Sequence, residues 1–182
     1  IHQKLEKPIL TPSTKAEKGD HDVSVSRDEL LAMGRISEAD FDTMAKMSFD
    51  LFHAGAAHCA KQGLILVDTK YEFGRTKDGR IVVIDEIHTA DSSRFWQADS
   101  YEAHFAAGET PRGLDKEYVR MWLKTERNFT GDGPIPAIPD EVKVEAARRY
   151  IAAAEQITGE PFVPDTSADP MARIHRNLNA GR

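Results

Sequence analysis

The run at residues 64–74 begins with four apolar residues and alternates after Val67, and this pattern predicts a β-strand with one charged face. After Val67 the charged face carries Asp68, Lys70 and Glu72, and the residues between them are threonine or aromatic. The run at residues 81–85 is apolar up to its final aspartate, which is typical of a strand that is buried on both faces. The two runs together predict an antiparallel hairpin.

The dipeptide Asp78-Gly79 lies between the two runs and predicts a two-residue type I′ turn, since both central positions of that turn need a positive φ. Counting outward from this turn places Lys77 opposite Arg80 and Thr76 opposite Ile81. The same register continues with Gly74 opposite Val83, and it ends with Glu72 directly opposite Asp85. Two carboxylates are therefore predicted to face each other.

Directly opposed like charges destabilise a strand pair, so a positive group is expected between Glu72 and Asp85. Lys70 could neutralise part of this charge. Oxygen ligands from two adjacent strands also suit Mg²⁺, which takes one or two carboxylates and completes its shell with water and nucleotide phosphates. The pattern leaves open a simpler alternative, an exposed rim in which both acids are solvated or paired with Lys70. A register shift of one residue would move Asp85 to the opposite face.

Helical periodicity predicts three helices, at residues 38–62, 115–127 and 140–158. Ser37 followed by Asp40 resembles an N-terminal capping box, and Gly159 is a typical helix end. We therefore expect an α+β (α/β-like) domain, with a small, mostly antiparallel sheet packed against these helices. Residues 1–36 are expected to be loop-rich with one helical turn near 28–33. Residues 88–96 are expected to form a polar loop that ends in an aromatic anchor, and residues 159–182 a tail.

Composition excludes several classes of function. A chain of 182 residues with 40% apolar residues can bury one ordinary core, and a net charge of −6 argues against a general nucleic-acid or anionic-membrane surface. No apolar run approaches the roughly 20 residues of a membrane span. Cys59 is the single cysteine, so an internal disulfide is excluded and a cytoplasmic, reducing compartment is expected.

Two polar loops could bind anions. Ser92, Ser93 and Arg94 combine two hydroxyls with a guanidinium, which suits a phosphate monoester or a carboxylate, although Arg94 could instead form a salt bridge with Asp91 or Asp99.

The other loop, residues 11–22, gathers Lys15, His21 and Asp22, and a solvated polar loop is the alternative for it. The chain has no P-loop, GxGxxG, GxSxG or paired-cysteine motif.

Three segments together resemble the SAICAR synthetase family, the phosphoribosylaminoimidazole-succinocarboxamide synthases of purine biosynthesis. The segments read TPSTKAEKGDHD at residues 11–22, LILVDTKYEFG at 64–74 and DEIHTADSSRFW at 85–96. The likeness continues through LDKEYVRMWL and reaches about Thr158. It implies an ATP-dependent ligase that joins L-aspartate to a carboxyaminoimidazole ribotide, with a fold similar to the second lobe of ATP-grasp-like enzymes.

The resemblance also implies a role for particular residues. Glu72 and Asp85 would bind the Mg²⁺ of ATP, and Lys15 would approach the nucleotide phosphates. The ribotide and aspartate pocket would include Asp68 and Lys70 as catalytic residues. The implied substrate-binding residues are His21, Asp22, Asp91, Ser92, Ser93, Arg94, Lys116 and Arg120.

Members of this family carry an additional amino-terminal lobe, so this chain is expected to be the carboxy-terminal part, with residues 37–158 as its catalytic lobe. Two other functions remain open. One is a different Mg-nucleotide ligase or phosphotransferase, and the other is an inactive fragment that acts as a binding module.

Overall fold

A computed structural model of the chain describes residues 2–14, 23–114, 117–131, 133–166 and 169–180. Within these ranges the chain forms ten helices and strands. In chain order they are α1 Arg27–Ala32, α2 Glu38–Lys61, β1 Leu64–Thr69, β2 Phe73–Arg75, β3 Ile81–Val83, β4 Ser93–Gln97, α3 Ala98–Ala107, α4 Tyr118–Arg127, α5 Asp140–Thr158 and α6 Pro170–Ala180.

The hydrophobic core lies where α2 crosses the pair β1 and β4. β1 and β4 are antiparallel, and Leu66 lies opposite Phe95 in their register. Leu64 and Leu66 are the buried residues of β1, and they cluster with Cys59 of α2 and Phe95 of β4. Each fully buried side chain of this size contributes about 1.5–3 kcal/mol to stability. This core fixes the position of the polar ends of β1 and β4.

Two of the predicted helices are confirmed together with their capping residues. The hydroxyl of Ser37 accepts a hydrogen bond from the Asp40 amide (3.2 Å) at the start of α2. Gly159 ends α5 in the left-handed conformation with φ 75°. The third helix begins at Tyr118, and residues 115 and 116 lie outside the described part of the chain. The α+β fold class is confirmed.

The strand predicted across residues 64–74 is interrupted. β1 ends at Thr69 and β2 begins at Phe73, and the two strands belong to separate two-stranded antiparallel sheets, β1 with β4 and β2 with β3. The prediction of a loop up to Trp96 was wrong, because Ser93–Gln97 is the strand that pairs with β1. Burial alternates along it, with Ser93 and Phe95 buried and Arg94 exposed. This pattern is too short to be distinguished from a loop in the sequence.

The hairpin between β2 and β3 exists, but its predicted turn and register were wrong. Gly79 has φ 89°, while Asp78 does not have a positive φ. The Gly79 amide donates to the Thr76 carbonyl (2.9 Å) and the Thr76 amide donates to the Arg80 carbonyl (2.9 Å), so the loop contains three residues. This is the turn in which a left-handed glycine forms a bulge.

The additional loop residue moves the register by one position. Phe73 pairs with Val83, Gly74 with Val82 and Arg75 with Ile81. Glu72 consequently lies beside Ile84, whose amide donates to the Glu72 carbonyl (3.0 Å), and the prediction that Glu72 directly opposes Asp85 fails.

Candidate functional site

Asp68 and Arg94 are cross-strand partners at the polar end of the β1 and β4 pair. The guanidinium donates from Nε to Asp68 Oδ1 (3.0 Å) and from Nη2 to Asp68 Oδ2. This two-point contact holds the guanidinium plane, and the hydrogen bond to Asp68 raises the pKa of Arg94 above its ordinary value. Arg94 is therefore a fixed cation at every physiological pH.

The two serines before Arg94 have different surroundings. Ser93 is buried, with 1% of its surface exposed, and its hydroxyl donates to Thr69 Oγ1 (2.8 Å). The Ser92 hydroxyl is half-buried and accepts from the Thr89 amide (3.0 Å). Ser93 therefore supports the strand end from inside, whereas Ser92 lies closer to the surface on which a substrate could bind.

Lys70, Tyr71 and Glu72 connect β1 to β2, and each of them contacts the segment between β3 and β4. The Lys70 amide donates to the Ser92 carbonyl (3.3 Å), and the Glu72 carbonyl accepts from the Ile84 amide (3.0 Å). Between these two bonds, Tyr71 Oη and His88 Nε2 share a hydrogen bond of 2.5 Å. Three consecutive residues thus attach one segment to the other.

The carboxylates at this junction could hold a divalent cation. Lys70 Nζ lies 3.0 Å from Glu72 Oε1, and the Glu72 side chain is only 15% exposed. Asp85 lies in an exposed bend just beyond β3, where its Oδ1 accepts from the Glu86 amide (2.9 Å). No group of three or more potential metal-ligating side chains occurs within the described ranges. Two carboxylates suit a cation such as Mg²⁺, whose remaining ligands are water and phosphate oxygens.

The pair formed by Tyr71 and His88 was not recognised as part of a site from the sequence. Burial raises the pKa of Tyr71 to about 12. Burial, together with the charge of nearby His58, lowers the pKa of His88. Both groups are therefore uncharged at neutral pH, and the hydrogen bond joins a hydroxyl to a neutral imidazole. The available signal was the position of His88 within residues 85–96.

Helices α4 and α5 contribute to the edge of the site. Arg120 is exposed and its Nη1 lies 2.8 Å from Glu117 Oε2. Burial, followed by the charges of Asp91 and Glu117, raises the pKa of Tyr150 in α5.

The predicted site residues fall into four groups. The strand ends bring together Asp68, Ser92, Ser93 and Arg94, and the neighbouring junction holds Lys70 and Glu72. Asp91, Asp85 and Arg120 lie on exposed positions around them. Four predicted residues lie outside the described part of the chain: Lys15, His21, Asp22 and Lys116.

A family model described as SAICAR synthetase matches residues 1–134, which include all of the strands and the junction between them. The chain belongs to the SAICAR synthetase family. The resemblance seen in the three sequence segments is thereby confirmed.

Curated relatives are similar in sequence to this chain over nearly its whole length. The phosphoribosylaminoimidazole-succinocarboxamide synthase of Arabidopsis thaliana, described as chloroplastic, is 48% identical over 179 residues, which are 98% of this chain and 43% of that protein. The synthase of Cytophaga hutchinsonii is 46% identical over 179 residues, 97% of this chain and 57% of that protein. The chain therefore spans about half the length of the curated relatives that it matches.

Solved structures of SAICAR synthetases share the fold. The SAICAR synthase of Saccharomyces cerevisiae in complex with SAICAR superposes with a TM-score of 0.69 and 30% identity, over 89% of this chain and 50% of that one. A SAICAR synthetase in complex with ADP gives a TM-score of 0.62 and 28% identity, over 88% of this chain and 55% of that one. In the described ranges, none of the helices has the length and apolar character needed to cross a membrane.

Proposed function

We propose that this chain supplies the magnesium-nucleotide and ribotide contacts of an ATP-dependent ligase that joins L-aspartate to carboxyaminoimidazole ribotide. The products are SAICAR, ADP and phosphate, and the pathway is purine biosynthesis. The observation that carries this proposal is the clustering of two family segments, residues 64–74 and 85–96, at one end of the β1 and β4 pair. The family match and the ligands of the related structures support it.

The proposed reaction has two steps. A carboxylate oxygen of the ribotide attacks the γ-phosphorus of ATP, the bond to the ADP oxygen breaks, and an acyl phosphate forms. The amine of L-aspartate then attacks the acyl carbon, loses a proton and expels phosphate, which leaves an amide. Neither step needs a covalent protein nucleophile, so the protein acts by positioning the substrates and by stabilising negative charge.

On the nucleotide side, Glu72 and Asp85 would hold Mg²⁺, which would neutralise charge on the ATP phosphates when bound. Lys70 already lies 3.0 Å from Glu72, so its ammonium group would reach the same phosphates and oppose the charge that develops during transfer. Lys15 would approach the nucleotide phosphates. The two acids are not directly opposed, so each would have to approach the cation from its own segment, Glu72 from the connection between β1 and β2 and Asp85 from the bend beyond β3.

On the substrate side, Arg94 would bind the ribotide phosphate. Its Nε and Nη2 are turned towards Asp68, so Nη1 is the nitrogen from which a phosphate oxygen could accept. Asp68 would act by holding this guanidinium. Asp91 and Ser92 would contribute polar groups beside it, while His21, Asp22, Lys116 and Arg120 would complete the pocket for the ribotide and aspartate.

The test is release of ADP in the presence of ATP, Mg²⁺, the ribotide and L-aspartate. It is measured on this chain alone and on the chain joined to the part of the Cytophaga relative that the alignment does not cover. Turnover that requires both the ribotide and aspartate supports the proposal. ADP release that is indifferent to aspartate indicates another ligase or phosphotransferase, and folded protein without nucleotide binding indicates a binding module.

Glu72→Gln is the variant that tests the metal assignment. We expect it to remove most of the Mg-ATP affinity, measured by calorimetry, and to leave the circular dichroism spectrum unchanged. Glu86→Gln is the matched control, because Glu86 is an exposed acid next to Asp85 in the same bend. Equal affinity for Mg-ATP in the two variants would contradict the assignment of Glu72 to the metal.

The proposed enzyme acts on small molecules in the cytoplasm, and we assign it neither a nucleic-acid nor a membrane partner. The Arabidopsis relative is described as chloroplastic, so a plastid location is the outcome that would contradict this assignment. Localisation of a tagged chain by microscopy is the direct test.

A further inference from the structure

The ring of His88 occupies space that helix α2 leaves open at a glycine. A Cβ built on Gly55 would lie 2.2 Å from His88 Cε1 and 2.6 Å from Nδ1, so any larger residue at position 55 would displace the imidazole. Gly55 is buried in the middle of α2, where glycine weakens a helix by roughly 1 kcal/mol relative to alanine. Helix formation therefore does not explain this residue, whereas the position of His88 does.

The backbone of His88 is also unusual. Its φ is 55°, in the left-handed region, where histidine, asparagine and aspartate are enriched among residues other than glycine. This conformation turns the side chain towards α2 and Tyr71, and the two rings meet edge to face with centroids 5.6 Å apart. The imidazole therefore has a helix on one side and the Tyr71 hydroxyl at its Nε2.

Tyr71 is the central residue of the junction described above. Its neighbours Lys70 and Glu72 are attached through backbone hydrogen bonds to Ser92 and Ile84, and Tyr71 is attached through its side chain to His88. The segment from residue 84 to residue 92 carries Asp85 near one end. The segment is therefore held at one end by the bond between Ile84 and Glu72, and in its middle by the hydrogen bond between His88 and Tyr71.

We propose that His88 is a positioning residue, which uses the gap at Gly55 and its hydrogen bond to Tyr71 to set the separation of the segments that carry Glu72 and Asp85. It has no direct contact with substrate in this role. The consequence for nucleotide binding rests on the proposed function, whereas the geometric role does not. The group served is a magnesium nucleoside diphosphate or triphosphate.

Two substitutions test this role independently, one by removing the imidazole ring and one by displacing it. His88→Asn removes the imidazole but keeps a residue that tolerates the left-handed backbone. Gly55→Ala keeps the imidazole and fills its space. Val142→Ala is the control, because Val142 is buried near the start of α5, outside the junction and α2, and its truncation lowers stability.

The first measurement is the amide NMR spectrum of the 182-residue chain without ligand. We expect both substitutions to shift the resonances of residues 70–72 and 84–88, and we expect Val142→Ala to leave those resonances in place. Unshifted resonances in Gly55→Ala would overturn the proposal, whatever the protein binds.

The second measurement is the affinity for Mg-ADP by calorimetry. We expect each substitution to weaken binding about tenfold, the scale for residues that orient a ligand. The double variant should be no weaker than either single variant, because both act through one displacement. Unchanged affinity in both single variants, when the unaltered chain binds, would overturn the positioning role. If the unaltered chain does not bind Mg-ADP, the proposed function fails, and the NMR shifts alone then support or overturn the geometric proposal.

Discussion

Replacement of Arg94 by glutamine separates the contribution of this residue to the fold from its contribution to ligand binding. The side chains of Arg94 and Asp68 are 60% and 48% exposed, so solvent screens much of their attraction. Exposed ion pairs contribute about 0.2–1 kcal/mol, and the geometry between Arg94 and Asp68 favours the upper part of that range. We expect Arg94→Gln to lower the free energy of unfolding by less than about 1 kcal/mol.

The effect on ribotide binding should be larger. A hydrogen bond to a charged group contributes about 1.5–3 kcal/mol, which corresponds to a roughly 10- to 150-fold loss of affinity. Asp68→Asn should lower stability by a similar small amount, yet it should weaken the ribotide less, because the guanidinium remains. The double variant should lose less unfolding free energy than the sum of the two single losses, because the ion pair can be broken only once.

The assays are urea unfolding followed by circular dichroism and calorimetric titration with the ribotide. Arg80→Gln is the control, because Arg80 also forms an exposed ion pair, with Asp78 at 2.8 Å, but lies at the hairpin turn. If Arg94→Gln lowers stability by several kcal/mol and leaves ribotide affinity intact, Arg94 is structural and our reasoning is refuted. If Arg80→Gln lowers the affinity for the ribotide equally, the effect comes from the net charge of the protein and not from a contact with Arg94.

Three further predictions concern the fold. Phe95→Ala should lower the free energy of unfolding by about 3–5 kcal/mol, against about 0.5 kcal/mol or less for exposed Val163→Ala, in urea unfolding. Gly159→Ala should lower the thermal midpoint more than Gly108→Ala. Both glycines have φ above 70°, but only at Gly159 would a Cβ meet a side chain, 2.8 Å from Gln62 Nε2; equal shifts would contradict this. The raised pKa of Tyr71 means that its contribution to stability is full below pH 10 and is lost as the pH rises through about 12. The measurement is the difference in unfolding free energy between the unaltered chain and Tyr71→Phe at several pH values from 10 to about 12. A difference that does not shrink as the pH rises would contradict the prediction.

The helices were predictable because their signals are local. Ser37 caps the start of α2 and Gly159 ends α5, and each of these signals depends on a few neighbouring residues. Helical periodicity marks the rest of each helix. β4 was missed for the opposite reason. Ser93–Gln97 is identified as a strand by its pairing with β1, and a partner about thirty residues away leaves no local mark.

The hairpin shows how one residue changes a site prediction. Asp78-Gly79 correctly located the turn, but the sequence does not distinguish a two-residue loop from a three-residue loop that ends in a glycine bulge. Because side chains alternate along a strand, the additional residue removes the direct opposition of Glu72 and Asp85. The segments 64–74 and 85–96 supplied candidate residues for the site, whereas the spatial relation of these residues required the structure.

The junction of residues 70–72 with residues 84–92 explains why polar residues remain ordered where both sheets end. Backbone bonds from Lys70 and Glu72 satisfy carbonyl and amide groups that the broken strand would otherwise leave unpaired. These backbone bonds do not use the side chains of Lys70 and Glu72, whose Nζ and Oε1 lie 3.0 Å apart. A ligand that displaced Lys70 from Glu72 would exchange one charge partner for another and would leave the backbone bonds intact. The backbone bonds can therefore hold the junction in place whether Lys70 and Glu72 pair with each other or with a ligand.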